Sequence, residues 1–451
     1  MKTRLFVALA FAGSALVAQN QSEQSEQNEP SQYEGPSILS RDRSLIGERS
    51  GKLLDYTFWV DVTGAYDSQL IPVSTTSSGQ VNQSGGAASV AVGYGITGSR
   101  TWRHDRLAVD FTGDFRHFPN ATYYDAIDEF LNLSYSHTFS RHLSFNTRET
   151  AGTTAFLNGY YTYLPLQNTD LYAVPTNDLF DNRTDFLQSR ADMTWQKSLR
   201  LSINFGGEGF IVSRRSSALA GVKGYDGHAD VSYRLNKRQT VTLSYQHVAF
   251  NYVRQFGNAN LDQFSGGWSI GLGRRWDFST QFGAARNDFS GLTSVNLDPA
   301  IAALVGQNTA VIAFHQTGYI PIYGGQLIRR FERSSVVAAY NQSFSPGNGV
   351  YLTSRQTAAT ASYSYTGLKK LTYTASAGYA RLTSLGQTLG NYSGEFAGVG
   401  TTYTLKSYAH LECRYDYRHY TTGDVTGYKQ NAQRISVGLA FSPSSKPLPI
   451  W

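Results

Sequence analysis

A single cysteine, Cys413, and two methionines stand among 451 residues, and charged residues make up only 16% of the chain. One cysteine supports neither a disulfide framework nor a Cys-rich metal cluster. Charge this sparse, beside 14% aromatics, excludes a disordered chain or a coiled coil. The apolar run Leu5–Val17 has 13 residues, too few for a bilayer-spanning helix. Preceded by Lys2 and Arg4 and ending in small residues near Ala18, it reads as an export signal over 1–18. Without Lys2 and Arg4 the formal charge falls from +6 to +4, too little over such a length to imply a nucleic-acid partner.

What the chain does have is 43 Gly, 30 Tyr and 25 Phe, the residues of strands and turns. Residues 19–53 are mostly polar and of low complexity, and read as a flexible periplasmic leader. From Leu54 to Phe441 the texture has period two. In Leu199–Val212, Leu201, Ile203, Phe205 and Ile211 share one parity while Ser202, Asn204 and Glu208 hold the other. The same division recurs in 106–118, in 224–235 and in 411–418.

Basic turns give a second regularity. Arg103, Arg141, Lys197, Lys237, Arg274, Arg329, Lys369 and Lys406 are spaced by 38, 56, 40, 37, 55, 40 and 37 residues, one long hairpin per unit with two units enlarged. Counting strands between turns gives eighteen, the first at 54–67 and the last at 431–441. The stretch 317–330 alternates least and contains Pro321. Strands of about 12 residues exceed the globular norm and suit a tilted bilayer crossing. A sheet so large must close to hide its edges. The expected fold is all-β, a single up-and-down antiparallel transmembrane barrel over 54–441, with short basic periplasmic turns, longer external loops and a C-terminal tail at 442–451.

With this alternation, and with Ile435, Val437, Leu439 and Phe441 leading to an aromatic end, the sequence resembles the porin-like outer-membrane β-barrels of Gram-negative bacteria, the group with 16 to 18 strands. The resemblance implies an integral outer-membrane protein surrounded by lipid, whose last strand, 431–441, is read by barrel-assembly machinery. The ten residues after Phe441 depart from the usual pattern. The 35 residues of 19–53 are too few for a folded plug domain, so the expectation is passive diffusion of small hydrophilic solutes, with sugars as candidates, through an unplugged pore that needs no cofactor. Phe139, Trp195, Tyr233, Trp276, Phe331, Tyr365, Tyr373 and Tyr403 lie near basic turns, where a membrane girdle would place them.

Inward positions selected as pore-lining are Asp61, Asp110, Asp114, Arg116, Arg148, Arg190, Asp192, Glu208, Asp226, Asp230, Arg234, Glu412, Arg414, Asp416 and Arg418. Their mixed signs predict weak ion selectivity, and structural ion pairing is the competing role for each. The third long loop, 155–182, is unusually apolar for a solvated loop. By resemblance to the inward-folded third loop of porins, Tyr160, Tyr161, Tyr163, Asp170, Tyr172, Asp178 and Asp181 are constriction candidates. In the sixth loop, 290–317, Asp298-Pro299 and Gly306 signal a short helix.

Two alternatives stay open: a component of a polysaccharide-export or secretion assembly, and an outer-membrane protease, phospholipase or lipid deacylase. For the latter, the rim candidates are His117, Asp125, Asp128, His247, His315, His419 and Asp424, but no local catalytic motif accompanies them, and the chain reads as a non-enzyme. No metal site is expected. A homo-oligomer is compatible with every reading.

Overall fold

The structure is a computed structural model that describes residues 54–75, 81–154, 183–215, 219–254, 256–273, 275–298, 306–347, 352–385, 391–422 and 429–442. The export signal, the leader to residue 53, the constriction candidates and the tail beyond Ser442 lie outside these residues.

Among the described residues twenty strands follow one another: β1 (Leu54–Asp67), β2 (Leu70–Thr75), β3 (Val81–Ser84), β4 (Ala87–Thr101), β5 (Asp105–His117), β6 (Ala126–Ser140), β7 (Leu143–Thr154), β8 (Thr184–Gln196), β9 (Leu201–Arg214) and β10 (Gly221–Asn236). They continue as β11 (Gln239–Val253), β12 (Asn258–Leu272), β13 (Trp276–Asn296), β14 (Thr309–Arg330), β15 (Ser334–Gly347), β16 (Leu352–Leu368), β17 (Leu371–Ser384), β18 (Asn391–Lys406), β19 (Ala409–Thr422) and β20 (Lys429–Phe441).

Eighteen of them form one antiparallel sheet in which every strand pairs with its chain neighbours, and β1 pairs with both β4 and β20. That last pairing, from Val60 opposite Phe441 to Asp67 opposite Arg434, closes the barrel. The expected eighteen-stranded up-and-down barrel is therefore present. Closure leaves no free edge over most of the circumference and pairs the backbone groups internally, as a lipid surrounding demands. The remaining two strands, β2 and β3, form a small separate hairpin between β1 and β4.

The two rims differ. At one, eight connections are tight turns carrying the basic residues, closed by bonds such as Trp102 N to Asp105 O at 2.8 Å and Phe331 N to Ser334 O at 2.7 Å. Asn236 assists its turn by accepting from the Arg238 amide at 2.8 Å. The other rim carries the long connections.

The sixth insertion corrects the sequence reading. Residues 290–296 and 309–317 are strand, extending β13 and β14 into a long hairpin paired from Trp276–Arg329 to Asn296–Thr309. The proposed helix there falls on 299–305, outside the described residues. β14 pairs with β15 only from Tyr323 to Arg330. Pro321 stands just past that limit, and its carbonyl is met by the Gln342 side chain at 2.8 Å. A residue with no N–H is tolerated because the ladder ends there.

Alternation sorts the two faces. Outward positions are apolar and exposed, among them Phe58, Val92, Phe115, Leu187, Phe205, Leu243, Phe264, Phe282, Val399 and Val437. Six of the girdle candidates are exposed on this face: Phe139, Trp195, Tyr233, Phe331, Tyr373 and Tyr403. Trp276 is half-buried beneath Arg329, whose guanidinium carbon lies 4.5 Å from its ring and 4.3 Å from that of Phe331. Higher on the wall, Tyr94 lies across Gly113 to donate to Glu129 at 2.8 Å, a path that any side chain at Gly113 would block.

Candidate functional site

The barrel interior is where the polar parity converges. All fifteen charged residues expected to line a pore occupy inward positions, and all but Asp114, Arg148 and Arg234 are buried. Buried charges need partners, because water is no longer available to solvate them. One group spans β19, β20, β1, β4 and β5. Arg414 grips Asp416 with Nε at 2.8 Å and a terminal nitrogen at 2.6 Å. Arg116 reaches Asp114 at 3.2 Å, Asp61 accepts from Thr63 at 3.0 Å, and Arg434 faces Asp67 at 4.0 Å.

The second group sits on β8 to β11. Asp192 holds Arg190 Nε at 2.5 Å and His228 Nε2 at 2.7 Å, while His228 Nδ1 lies 3.7 Å from Asp226. Gln246 donates to Asp226, and Gln188 to Glu208 at 2.5 Å.

Lumenal glycines make room for these groups. Gly93, Gly206 and Gly398 lie in register with Asp61, Asp192 and Asp416, and a Cβ at any of them would overlap the neighbouring carboxylate. Gly93→Ala is expected to displace Asp61 and cost about 1–3 kcal/mol, as overpacking does. Urea unfolding of the refolded barrel in lipid vesicles measures it, and an unchanged midpoint would remove this account of the glycine.

The open part of the interior lies elsewhere. On β16, β17 and β18 the inward positions Thr360, Ser362, Ser364, Thr374, Ser376, Thr402 and Thr404 are half-exposed, as are Gln281 on β13 and Gln326 on β14. The accessible wall is thus largely uncharged hydroxyl and amide. Selection by charge missed these positions, although their parity was the signal that could have found them.

Toward the long-loop rim the inward face of β9 to β14 turns apolar. Phe210, Val212, Val222, Val248, Phe250, Ala259, Leu261, Phe289, Ile320 and Ile322 form a buried cluster with Phe344 and Leu352. Tyr252 Oη meets Thr353 Oγ1 at 2.7 Å and accepts from the Thr353 amide at 2.5 Å, joining β11 to β16 although these strands are not neighbours. Thr353 holds φ at +33°, where a β-branched residue is strained, so the surroundings fix this crossing.

The rim histidines are not gathered. His117 pairs with Asp125 at 2.8 Å, His247 with Asp262 at 2.8 Å and His315 with Asp288 at 3.1 Å, while His419 meets Asn431 at 2.6 Å, each between neighbouring segments. Asp128 is buried in the interior, and Asp424 is outside the described residues. Burial opposes the charge of Asp125, but hydrogen bonds from the Phe118 amide and the His117 ring outweigh it and hold this carboxyl below the ordinary carboxylate range. Among the described residues no cluster of three or more His, Cys, Asp or Glu could hold a metal. Among them also no helix is long and apolar enough to cross a membrane, a criterion that does not apply to strands.

No protein-family model matches the chain, and no curated protein sequence matches it. Among solved structures, it is similar to a BenF-like porin from Pseudomonas fluorescens, with TM-score 0.45 and 11% identity over 86% of this chain and 99% of that one. It is similar to OccK2 (OpdF) of Pseudomonas aeruginosa, in complex with glucuronate, with TM-score 0.45 and 11% identity over 86% and 98%. OccAB1 of Acinetobacter baumannii gives TM-score 0.41 and 14% identity over 86% and 97%.

Proposed function

We propose that the protein is an outer-membrane channel for passive passage of small hydrophilic solutes, sugars among them. The observation that carries this is the division of one closed eighteen-stranded sheet into an apolar exterior and a polar interior, part of which is half-exposed hydroxyl and amide. A cylinder of this strand number encloses more space than its own side chains fill. The tight basic turns are then periplasmic and the long connections external. Most of the inward charges are buried, and the accessible wall on β16 to β18 is Ser and Thr, which favours polyhydroxylated molecules over strong ion selection.

Segment 155–182 is the proposed constriction, with Tyr160, Tyr161, Tyr163, Asp170, Tyr172, Asp178 and Asp181 facing solute. It leaves from Thr154 and returns at Thr184, on the rim where the interior face is apolar. Barrel-assembly machinery would recognise the terminal strand, β20. The test is planar-bilayer conductance of the refolded protein with and without residues 155–182. A large steady conductance that rises on deletion is expected; no conductance in either form overturns the channel reading. Heat-modifiable gel migration checks separately that the barrel has formed.

A further inference from the structure

His117, His247 and His315 at the long-loop rim each hold a carboxylate, but His419 is held differently. It stands ten residues beyond Ala409, the start of β19. Ten residues at ~3.3 Å, tilted by about 40°, rise roughly 25 Å, the height of the apolar band of such barrels. His419 shares the parity of Leu411 and Tyr415, which are exposed on the outer face, so its ring stands where acyl chains meet headgroups. Its Nδ1 lies 2.6 Å from Oδ1 of Asn431, directly opposite on β20. Its Nε2 lies 3.2 Å from Oγ1 of Thr421, two residues on along β19.

The proton positions follow from the partners. Asn431 Oδ1 can only accept, and it also takes the Tyr417 hydroxyl at 3.2 Å. A neutral His419 therefore carries its proton on Nδ1, which leaves the Nε2 lone pair to accept from the Thr421 hydroxyl. Hydroxyl, base and orienting group thus stand in hydrogen-bond reach in that order, the arrangement that activates an oxygen for acyl transfer. On β18 Ser393 stands opposite Thr421, and on β17 the exposed Arg381 stands opposite Ser393. This row supplies donors beside Thr421 for an oxyanion or a phosphate. Below it the outer face of β18 to β20 is apolar and exposed, with Val399, Tyr415, Ile435 and Val437.

We propose that Thr421, His419 and Asn431 form a second site, on the outside of the wall, that hydrolyses an acyl ester of a membrane glycerophospholipid. The height places an ester carbonyl beside Thr421, the apolar wall below takes the acyl chain, and Arg381 takes the phosphate. Thr421 Oγ1 attacks the carbonyl carbon while its proton passes to His419 Nε2. The tetrahedral adduct collapses with cleavage of the bond to the glycerol oxygen, which takes that proton and leaves as the lysolipid. Water then gives a proton to Nε2 as its oxygen attacks the acyl-Thr421 ester; Thr421 recovers the proton and the fatty acid departs. Thr421 and His419 are catalytic residues, and Asn431 is a positioning residue. The inference rests on the membrane-embedded reading of the barrel and is independent of what passes through it.

The full-length protein refolded into dioleoylphosphatidylcholine vesicles should release oleate, and a lipophilic fluorophosphonate should label Thr421, as peptide mass spectrometry reads. Thr421→Val and His419→Gln should each lower release about a hundredfold or more, while Thr421→Ser keeps it. Asn431→Ala should lower kcat about tenfold with KM unchanged, and Asn431→Asp, which keeps an acceptor for Nδ1–H, should restore it. His247→Gln, at the same rim, should have no effect. Wild type that releases no oleate beyond protein-free vesicles overturns the proposal, as does release that survives Thr421→Val or a wild type unlabelled at Thr421. Heat-modifiable migration of every form separates these failures from that of the membrane reading, since a wild type that never enters the vesicles as a barrel overturns both.

Discussion

Replacing Asp192 by Ala is expected to lower the unfolding free energy by about 3–5 kcal/mol, the range for removing one partner of a buried ion pair. The reason is what remains behind. Arg190 and His228 both converge on this carboxylate, at 2.5 and 2.7 Å, and all three side chains are almost fully enclosed. Without Asp192 a guanidinium stays buried beside an imidazole, with Asp226 the nearby carboxylate, 3.7 Å from the ring. Asp192→Asn keeps the shape and some hydrogen bonding but not the charge, so its loss should be smaller. Urea titration of the refolded barrel in lipid vesicles reads both. If Asp192→Ala unfolds at the wild-type midpoint, the group is not a stabilising network and its residues regain a claim as solute contacts.

The second large effect concerns the open wall. Ser376→Trp projects an indole inward from β17, where the interior is half-exposed, and should reduce single-channel conductance several-fold. Ala377→Trp, the next residue, places the same ring on the exterior and should leave conductance unchanged, since successive strand side chains point to opposite faces. Equal effects, or none from Ser376→Trp, would show that the passage does not run along β16 to β18.

These two expectations mark what could and could not be read from the chain. Parity located Asp192 on the inner face and was enough to place Ser376 there too, although selection by charge passed over it, and the positions of the basic turns led to eighteen strands. The wall is legible because a two-residue period repeated between turns has few other physical solutions. Pro321 made β14 look doubtful, yet it is one of the longest strands; its proline sits where pairing with β15 has ended. The β2–β3 hairpin was not legible, since its Ser, Thr, Gly and Gln carry no alternation. Nor was the crowding of the interior. Arg190 with Asp192, Arg414 with Asp416 and Arg116 with Asp114 are pairs two positions apart on one strand, but a contact such as that of Arg434 with Asp67 joins residues far apart in the chain. The apolar belt at Phe210, Val248, Phe250 and Phe289 was hidden because alternation weakens where both faces of a strand are hydrophobic.

The seam between β1 and β20 imposes an order on biogenesis. Ser442 and Phe58, which touch there, are 384 residues apart in sequence, and Gln433 binds Ser68 across a similar interval. Neither strand has its final neighbour until β20 has been made, so any chain that ends before it carries two long open edges. A loop closed this late gives little local reward beforehand. Truncation before residue 429 should therefore yield no shorter barrel but an aggregation-prone sheet, which makes the last hairpin a built-in check that the barrel wall is complete.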